Sequence, residues 1–263
     1  MQETGHAERV LVSGFRGAAL PASPPVTSPV IVIPAYQPAI SLPSLAADLA
    51  ALGFFVVVVN DGSSPQSAGI FERCAAIPRV AALHHNVNRG KGAALRTGLQ
   101  EALRRCPDAS GVVTADADGQ HRAADVAAVA ARLAADGRSL VLGARSFKGS
   151  VPLRSLAGNL LTRLLLRFLV GQKLRDTQTG LRGIPAFFIA SLLQLPSTGY
   201  EFELDMLVLA RRLAVPIVEL PVETVYLDGN ASSHFQPLRD SMKVCFVLFR
   251  HTLLSLAARF WTT

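Results

Sequence analysis

Residues 30–65, VIVIPAYQPAISLPSLAADLAALGFFVVVVNDGSSP, decide how this chain folds. Val30–Ile33 is a short unbroken apolar run, the pattern of a strand buried on both faces. A helical apolar pattern follows over residues 41–52, and Phe54–Val59 is a second strand-like run rich in valine. Strand, helix, strand at this spacing is a parallel crossover unit.

The alternation continues outward from this unit. Helices are expected near 65–76, 90–105 and 123–135, with strands at Val80–Leu83, Gly111–Ala115 and Leu140–Gly143. Short apolar strands separated by helices predict an α/β fold of Rossmann-like character, a mostly parallel sheet covered on both faces. Upstream, Leu20–Pro29 holds four prolines in ten residues, too many for a strand or helix interior, and it separates a tail over residues 1–28 from the domain. The domain is expected over 29–236, with an apolar, basic segment over 237–263.

At 263 residues the chain is long enough for one large domain and too short for two full ones. Its hydrophobic fraction of 50% against 17% charged residues leans apolar and keeps a membrane surface in view. A net charge of +7 favours anionic partners, whether phosphorylated substrate, anionic lipid or nucleic acid. The basic residues are scattered and form no recognisable nucleic-acid-binding module, so nucleic acid is set aside. Cys74, Cys106 and Cys245 have neither disulfide nor zinc spacing, which fits a reducing compartment. The first residues, with Glu3, His6 and Glu8, lack the pattern of a secretory signal, so a cytoplasmic protein is expected.

In parallel sheets ligands bind at the carboxyl ends of strands. Those ends carry Pro34-Ala35-Tyr36, Asn60-Asp61-Gly62-Ser63-Ser64, Asp116-Ala117-Asp118-Gly119-Gln120-His121 and Ala144-Arg145. An aromatic plate, a single carboxylate and a carboxylate pair suit a base, a ribose and a metal-bound diphosphate. In extended backbone Asp116 and Asp118 share a face and can reach one ion. Hard cations such as Mg²⁺ or Mn²⁺ take oxygen ligands from one or two carboxylates and substrate phosphates, and Gln120 could add an amide oxygen or a water contact. The alternative is a turn of solvated acids. Asp61-Gly62-Ser63-Ser64 also reads as a turn into a helix, with a serine cap and Pro65 at the first helical position. Arg89-Gly90-Lys91-Gly92 lacks the spacing of a mononucleotide-binding loop, which argues against an ATPase. It reads either as an anion site at a helix N-terminus or as a tight helix start.

Taken together, IPAYQP, VVNDGSSP, HNVNRGKGAALRTG, DADGQH, GARSF, DTQTGLRG, YEFELDML and ETVY with SSHF resemble family 2 glycosyltransferases, most closely the branch that acts on polyprenyl phosphates, such as dolichol-phosphate mannose or glucose synthases. The resemblance spans roughly residues 30–240. It implies a GT-A fold, inverting transfer, a UDP- or GDP-sugar donor and a divalent metal. It places Pro34, Ala35, Tyr36 and Asp61 on the nucleoside with Lys91 nearby. Asp116, Ala117, Asp118 and Gln120 would hold diphosphate and metal, with Asp118 assisting departure of the diphosphate. Arg145 and Arg154 would face phosphate groups, and His234 the diphosphate. Gln37, Pro38 and Pro65 depart from the family pattern and leave base preference open.

Asp176 first and Asp205 second are the candidate general bases, chosen over Glu201 and Glu203. The alternative for Glu201–Asp205 is one exposed helical face. A phosphate acceptor is already an anionic nucleophile and needs no strong base, in which case Asp176 would orient the acceptor or Arg182. Residues 156–170 and 242–261 read as apolar helices interrupted by Arg163, Arg167, Arg250 and His251, so that neither holds the roughly 18 unbroken apolar residues of a spanning helix, and both suit the cytoplasmic membrane interface or packing on the domain. Two further readings stay open: a glycan or lipid hydroxyl as acceptor, and a nucleotide-sugar-binding subunit without turnover.

Overall fold

A computed structural model describes residues 28–145, 174, 176 and 179–223, with the side chain of Arg145 excepted. The expected tail, the helices over 156–170 and 242–261, Arg154 and His234 lie outside the described residues.

The elements follow the order β1 (Val30–Ala35), α1 (Leu42–Ala51), β2 (Val56–Asp61), α2 (Ala68–Ala75), β3 (Val80–His85), α3 (Lys91–Arg105), β4 (Gly111–Thr114), α4 (Ala123–Asp136), β5 (Leu140–Arg145), β6 (Arg182–Pro185), α5 (Ala186–Leu192), α6 (Phe202–Arg212) and β7 (Ile217–Val222). They build one seven-stranded sheet ordered β3-β2-β1-β4-β6-β5-β7. Every pairing is parallel except those of β6, which runs antiparallel to β4 and β5.

Alternate residues of each strand feed two cores, as the period of two requires. Val30, Val32, Val57 and Val59 pack with α3, α5 and α6, through Leu95, Leu99, Phe188 and Phe202. Ile31, Ile33, Val56 and Val58 pack with α1, α2 and α4, through Leu49, Phe71, Val126 and Leu133. Both faces of the sheet are therefore covered, as the unbroken apolar runs predict.

The strand that the sequence pattern does not announce is β6. Its four residues, Arg-Gly-Ile-Pro, carry almost no apolar periodicity, yet all four are buried. Gly183 supplies the narrow waist, because a Cβ there would lie 3.2–3.3 Å from Val129, Leu133 and Val141 side chains. Running against its neighbours, β6 brings its N-terminal end, Thr179 to Arg182, to the edge where β1, β2, β4 and β5 end.

Two expectations at turns are revised. Pro65–Ser67 forms a separate 3₁₀ turn ahead of α2, and the Ser64 hydroxyl does not cap a helix. It donates to Gln37 Oε1 at 3.0 Å, as does the Ser67 hydroxyl. Gln37, itself at φ 48°, thus ties the loop after β1 to the loop after β2. Its amide completes the link by donating to Ser63 Oγ.

Candidate active site

The residues expected at the strand ends do converge on one edge. Pro34 and Ala35 are buried at the end of β1, and Tyr36 stands out with 42% of its surface exposed. The Ala39 amide donates to the Ala117 carbonyl at 3.0 Å, which holds the loop after β1 beside the acidic loop after β4. Arg145 closes β5 at the same edge, in register with Val222.

Asp61 lies almost fully buried at the end of β2, and its carboxylate is committed on several sides. It accepts from His85 Nδ1 at 2.7 Å, the Arg89 amide at 2.9 Å and the Gly90 amide at 2.8 Å. The other nitrogen of His85 lies 3.0 Å from the Thr97 hydroxyl, so the imidazole links β3 to α3. These bonds show how Arg89–Gly92 is held. The start of α3 is sealed by Asp61 and by the Thr198 carbonyl, which accepts from the Ala93 amide. Gly90, at φ 96°, and Gly92 press so closely on Thr198 that a Cβ would fall within 3 Å of it. The helix start is tight, and a carboxylate of the chain itself sits beside it.

Lys91 leaves that helix start and reaches across the edge. Its Nζ lies 2.7 Å from Asp116 Oδ1 and 3.0 Å from Glu203 Oε2, and 5.7 Å from the centre of the Tyr200 ring. Burial works against the charge on Lys91, but the two carboxylates outweigh it and hold the ammonium above its usual value. Burial would also raise the Asp116 carboxyl, yet Lys91 and His121, whose Nε2 lies 3.7 Å from Asp116 Oδ2, hold it well below the ordinary range. Asp118 goes the other way: burial and the neighbouring Asp116 charge raise it, against the Gln120 amide that donates to its Oδ1 at 3.0 Å.

The chemistry of this pair is compatible with a divalent cation. Burial, and after it the charge of Asp116, disfavours the ionised Asp118, and a cation shared by the two carboxylates would offset both. The donors are oxygens, as Mg²⁺ and Mn²⁺ prefer. Among the described residues no group of three or more His, Cys, Asp or Glu gathers as a closed metal centre. A carboxylate pair that completes its shell with phosphate oxygens and water has this composition.

Gly180 forms the floor under Asp116. A Cβ at Gly180 would lie 2.2 Å from Asp116 Oδ2, and the Thr114 hydroxyl pins the Gly180 carbonyl at 2.8 Å. Beside it, Arg182 is fully buried. It donates from Nε to the Thr179 carbonyl at 2.9 Å and from a terminal nitrogen to the Glu203 carbonyl. Burial pulls its guanidinium below the usual value, against the opposing pull of Glu203, Asp176 and Asp116.

The base candidates are also placed. Asp176 is completely buried, with its amide donating to Glu219 Oε1 at 3.1 Å. Asp205 is 1% exposed and Glu203 7% exposed, so the exposed-face reading of Glu201–Asp205 does not hold. The segment packs inward because α6 lies against the sheet through Phe202, Met206 and Leu207. Glu201 serves the backbone instead, accepting from the Gly199 amide at 2.8 Å. Sequence reasoning gave no role to Gly180, His85 or His121. All three stood inside quoted motifs, His85 in HNVNRGKGAALRTG, His121 in DADGQH and Gly180 in DTQTGLRG, but glycine and histidine carry no periodic signal that would have singled them out.

Comparison with known proteins bears on the fold and the family. A mycobacterial glucosyl-3-phosphoglycerate synthase, solved from Mycobacterium tuberculosis with Mn²⁺, UDP and glucosyl-3-phosphoglycerate, superposes with a TM-score of 0.64. The match covers 86% of this chain and 80% of that one at 19% identity, and it shows a common GT-A fold. Undecaprenyl-phosphate mannosyltransferase of Micrococcus luteus is 32% identical over 209 residues, 74% of this chain and 82% of its own length. UDP-N-acetylglucosamine–dolichyl-phosphate N-acetylglucosaminyltransferase of Methanococcus voltae is 29% identical over 218 residues, 75% and 86% of the two chains. The family model for glycosyl transferase family 2 matches residues 30–189, from the first strand through the acidic loop to α5, and the chain belongs to that family.

Proposed function

We propose that the chain transfers a hexose, with inversion, from a UDP- or GDP-sugar to a polyprenyl phosphate at the cytoplasmic surface of a membrane. The observation that carries the donor half is the juxtaposition of Asp116, Asp118 and Lys91 at the end of β4. The acceptor half is supported by relatives named for dolichyl- and undecaprenyl-phosphate.

In this reading Pro34, Ala35, Tyr36 and Asp61 receive the nucleoside. Asp116, Asp118 and Gln120 hold Mg²⁺ or Mn²⁺, which would neutralise charge growing on the departing diphosphate. Lys91 adds a fixed positive charge beside it. Ala117 contributes backbone to the same loop. Arg145, Arg154 and His234 face phosphate groups of donor or acceptor, and Asp176 orients Arg182. A phosphate acceptor attacks as an anion, so positioning and charge neutralisation supply the catalysis.

The test is direct. The purified protein, incubated with labelled UDP- and GDP-sugars and polyprenyl phosphate, is expected to form a charged glycolipid with Mn²⁺ or Mg²⁺ present. Asp118→Asn should abolish that transfer while leaving the circular dichroism spectrum unchanged. Full activity in the variant would overturn the metal assignment. A neutral glycolipid would favour the hydroxyl acceptor instead, and binding without donor consumption under any acceptor would leave only the non-catalytic reading.

A further inference from the structure

A lysine at the first position of a helix has the wrong sign for the helix dipole, which favours anions there. Lys91 nonetheless occupies that position at the start of α3, with its side chain only 15% exposed. Asp116 alone would balance its charge. A second carboxylate, Glu203, is brought from α6, 112 residues away in sequence, and is buried to meet it at 3.0 Å. Burying a carboxylate is expensive unless it has work to do in a network of charges.

Glu203 is itself held at two points. Its backbone carbonyl accepts from Arg182, and its Oε1 lies 3.9 Å from Arg182 Nε with no hydrogen-bond partner of its own. The oxygen that meets Lys91 is Oε2. The lysine, in turn, is shared between Asp116 Oδ1 and Glu203 Oε2.

We propose that Glu203 is a positioning residue for the donor site. Lys91 contacts Asp116 at 2.7 Å, and by taking part of the hydrogen bonding and charge of the ammonium Glu203 gives it a second seat, so that Asp116 can exchange the lysine contact for a cation. The Asp116 carboxylate then remains able to bind a divalent cation, while the lysine stays within reach of the diphosphate. Glu203 acts through Lys91 and touches neither metal nor donor. This inference rests on the reading of Asp116 and Asp118 as the metal pair.

The experiment is Mn²⁺ binding, followed by electron paramagnetic resonance of free Mn²⁺ in the presence of whichever of UDP and GDP the enzyme accepts. Glu203→Gln removes the charge, and Glu203→Asp keeps the charge beside Arg182 but falls one methylene short of Lys91. Both are expected to weaken Mn²⁺ binding about tenfold. In a Lys91→Met background the same two substitutions should change it less than about twofold, because the partner through which Glu203 acts is gone. Thermal unfolding of each variant accompanies the measurement. Normal Mn²⁺ binding by Glu203→Asp would refute the proposal in favour of a simple field effect. Equal losses with and without Lys91 would refute it in favour of a structural role. Failure of Asp118→Asn to reduce Mn²⁺ binding, or no Mn²⁺ binding by the wild-type protein, would instead sink the metal-site reading. Wild-type affinity in the Glu203 variants beside lost affinity in Asp118→Asn would sink this inference alone.

Discussion

Gly180 has no side chain, and the Asp116 carboxylate occupies the space one would take, with Oδ1 and Oδ2 lying 2.4 and 2.2 Å from the position of a Cβ. A methyl group there cannot be accommodated by a flexible tip, because Asp116 is held by Lys91 and the Gly180 carbonyl is held by Thr114. Gly180→Ala is therefore expected to push the carboxylate aside and weaken Mn²⁺ binding about 10–100-fold, the range seen when groups behind metal ligands are altered. The unfolding midpoint should move little by comparison, since the displaced group sits at the sheet edge and not in either core. Unaltered metal affinity in this variant would mean that Asp116 is not a ligand.

Among the elements, α3 does the most to join the site to the cores, and its fit depends on another glycine. Gly98 faces Val32 of β1 so closely that a Cβ would lie 2.3 Å from Cγ1. Replacing a mid-helix glycine by alanine gains up to about 1 kcal/mol in helix propensity. Overpacking a buried contact costs about 1–3 kcal/mol, and Val32 is β-branched, central and fully buried, with no room to yield. The clash should win, so Gly98→Ala is expected to lower stability to denaturant by about 1–2 kcal/mol. A stabilised variant would contradict the packing described here. Near the far end of α3, Arg104 and Arg105 both reach back to Glu101, hydrogen bonding from Arg104 being the largest influence on a carboxyl pulled from 4.5 to about 2. A depressed carboxylate contributes stability that is present above its unfolded value and is lost as pH falls toward its folded one. Both arginines are well exposed, so solvent screening limits the contribution to about 1 kcal/mol. Glu101→Gln should be less stable than the wild type by that amount at pH 7, with the difference shrinking between pH 4.5 and 2 in denaturant titrations. The helices and strands up to β5 were legible from sequence because unbroken apolar runs alternate with helical spacing. Their ends were less so, β2 running to Asp61 and β3 to His85 because polar residues also join the ladder. β6 was not legible, since its burial comes from pairing between β4 and β5, which sequence periodicity does not encode. The acidic loop was legible through its place at the end of β4 and the motifs around it, since its two-residue spacing alone also reads as a turn of solvated acids. Glu203 as partner of Lys91 was not, because that meeting depends on how α6 docks over the start of α3.

For the whole molecule, one edge of the sheet collects the chemistry while charge and apolar sequence outside the described residues bear on where it works. No helix among the described residues is long and apolar enough to cross a membrane. The net charge of +7 favours anionic surfaces, and residues 242–261 combine Lys243, Arg250 and Arg259 with a run of leucines, phenylalanines and Trp261. Attraction of this kind has two separable parts. The electrostatic part weakens as salt shortens the screening length from about 10 Å at 0.1 M to about 3 Å at 1 M, whereas apolar burial survives salt. The full chain is therefore expected to sediment with vesicles containing anionic lipid at low salt, and to retain a reduced bound fraction at 1 M. A chain ending at residue 241 should lose most of the salt-resistant fraction, while its remaining basic charge keeps some low-salt binding. Equal sedimentation of the two chains at high salt would show that residues 242–263 do not enter the lipid interface. A lipid-linked acceptor would then have to reach the strand-end edge by another part of the chain.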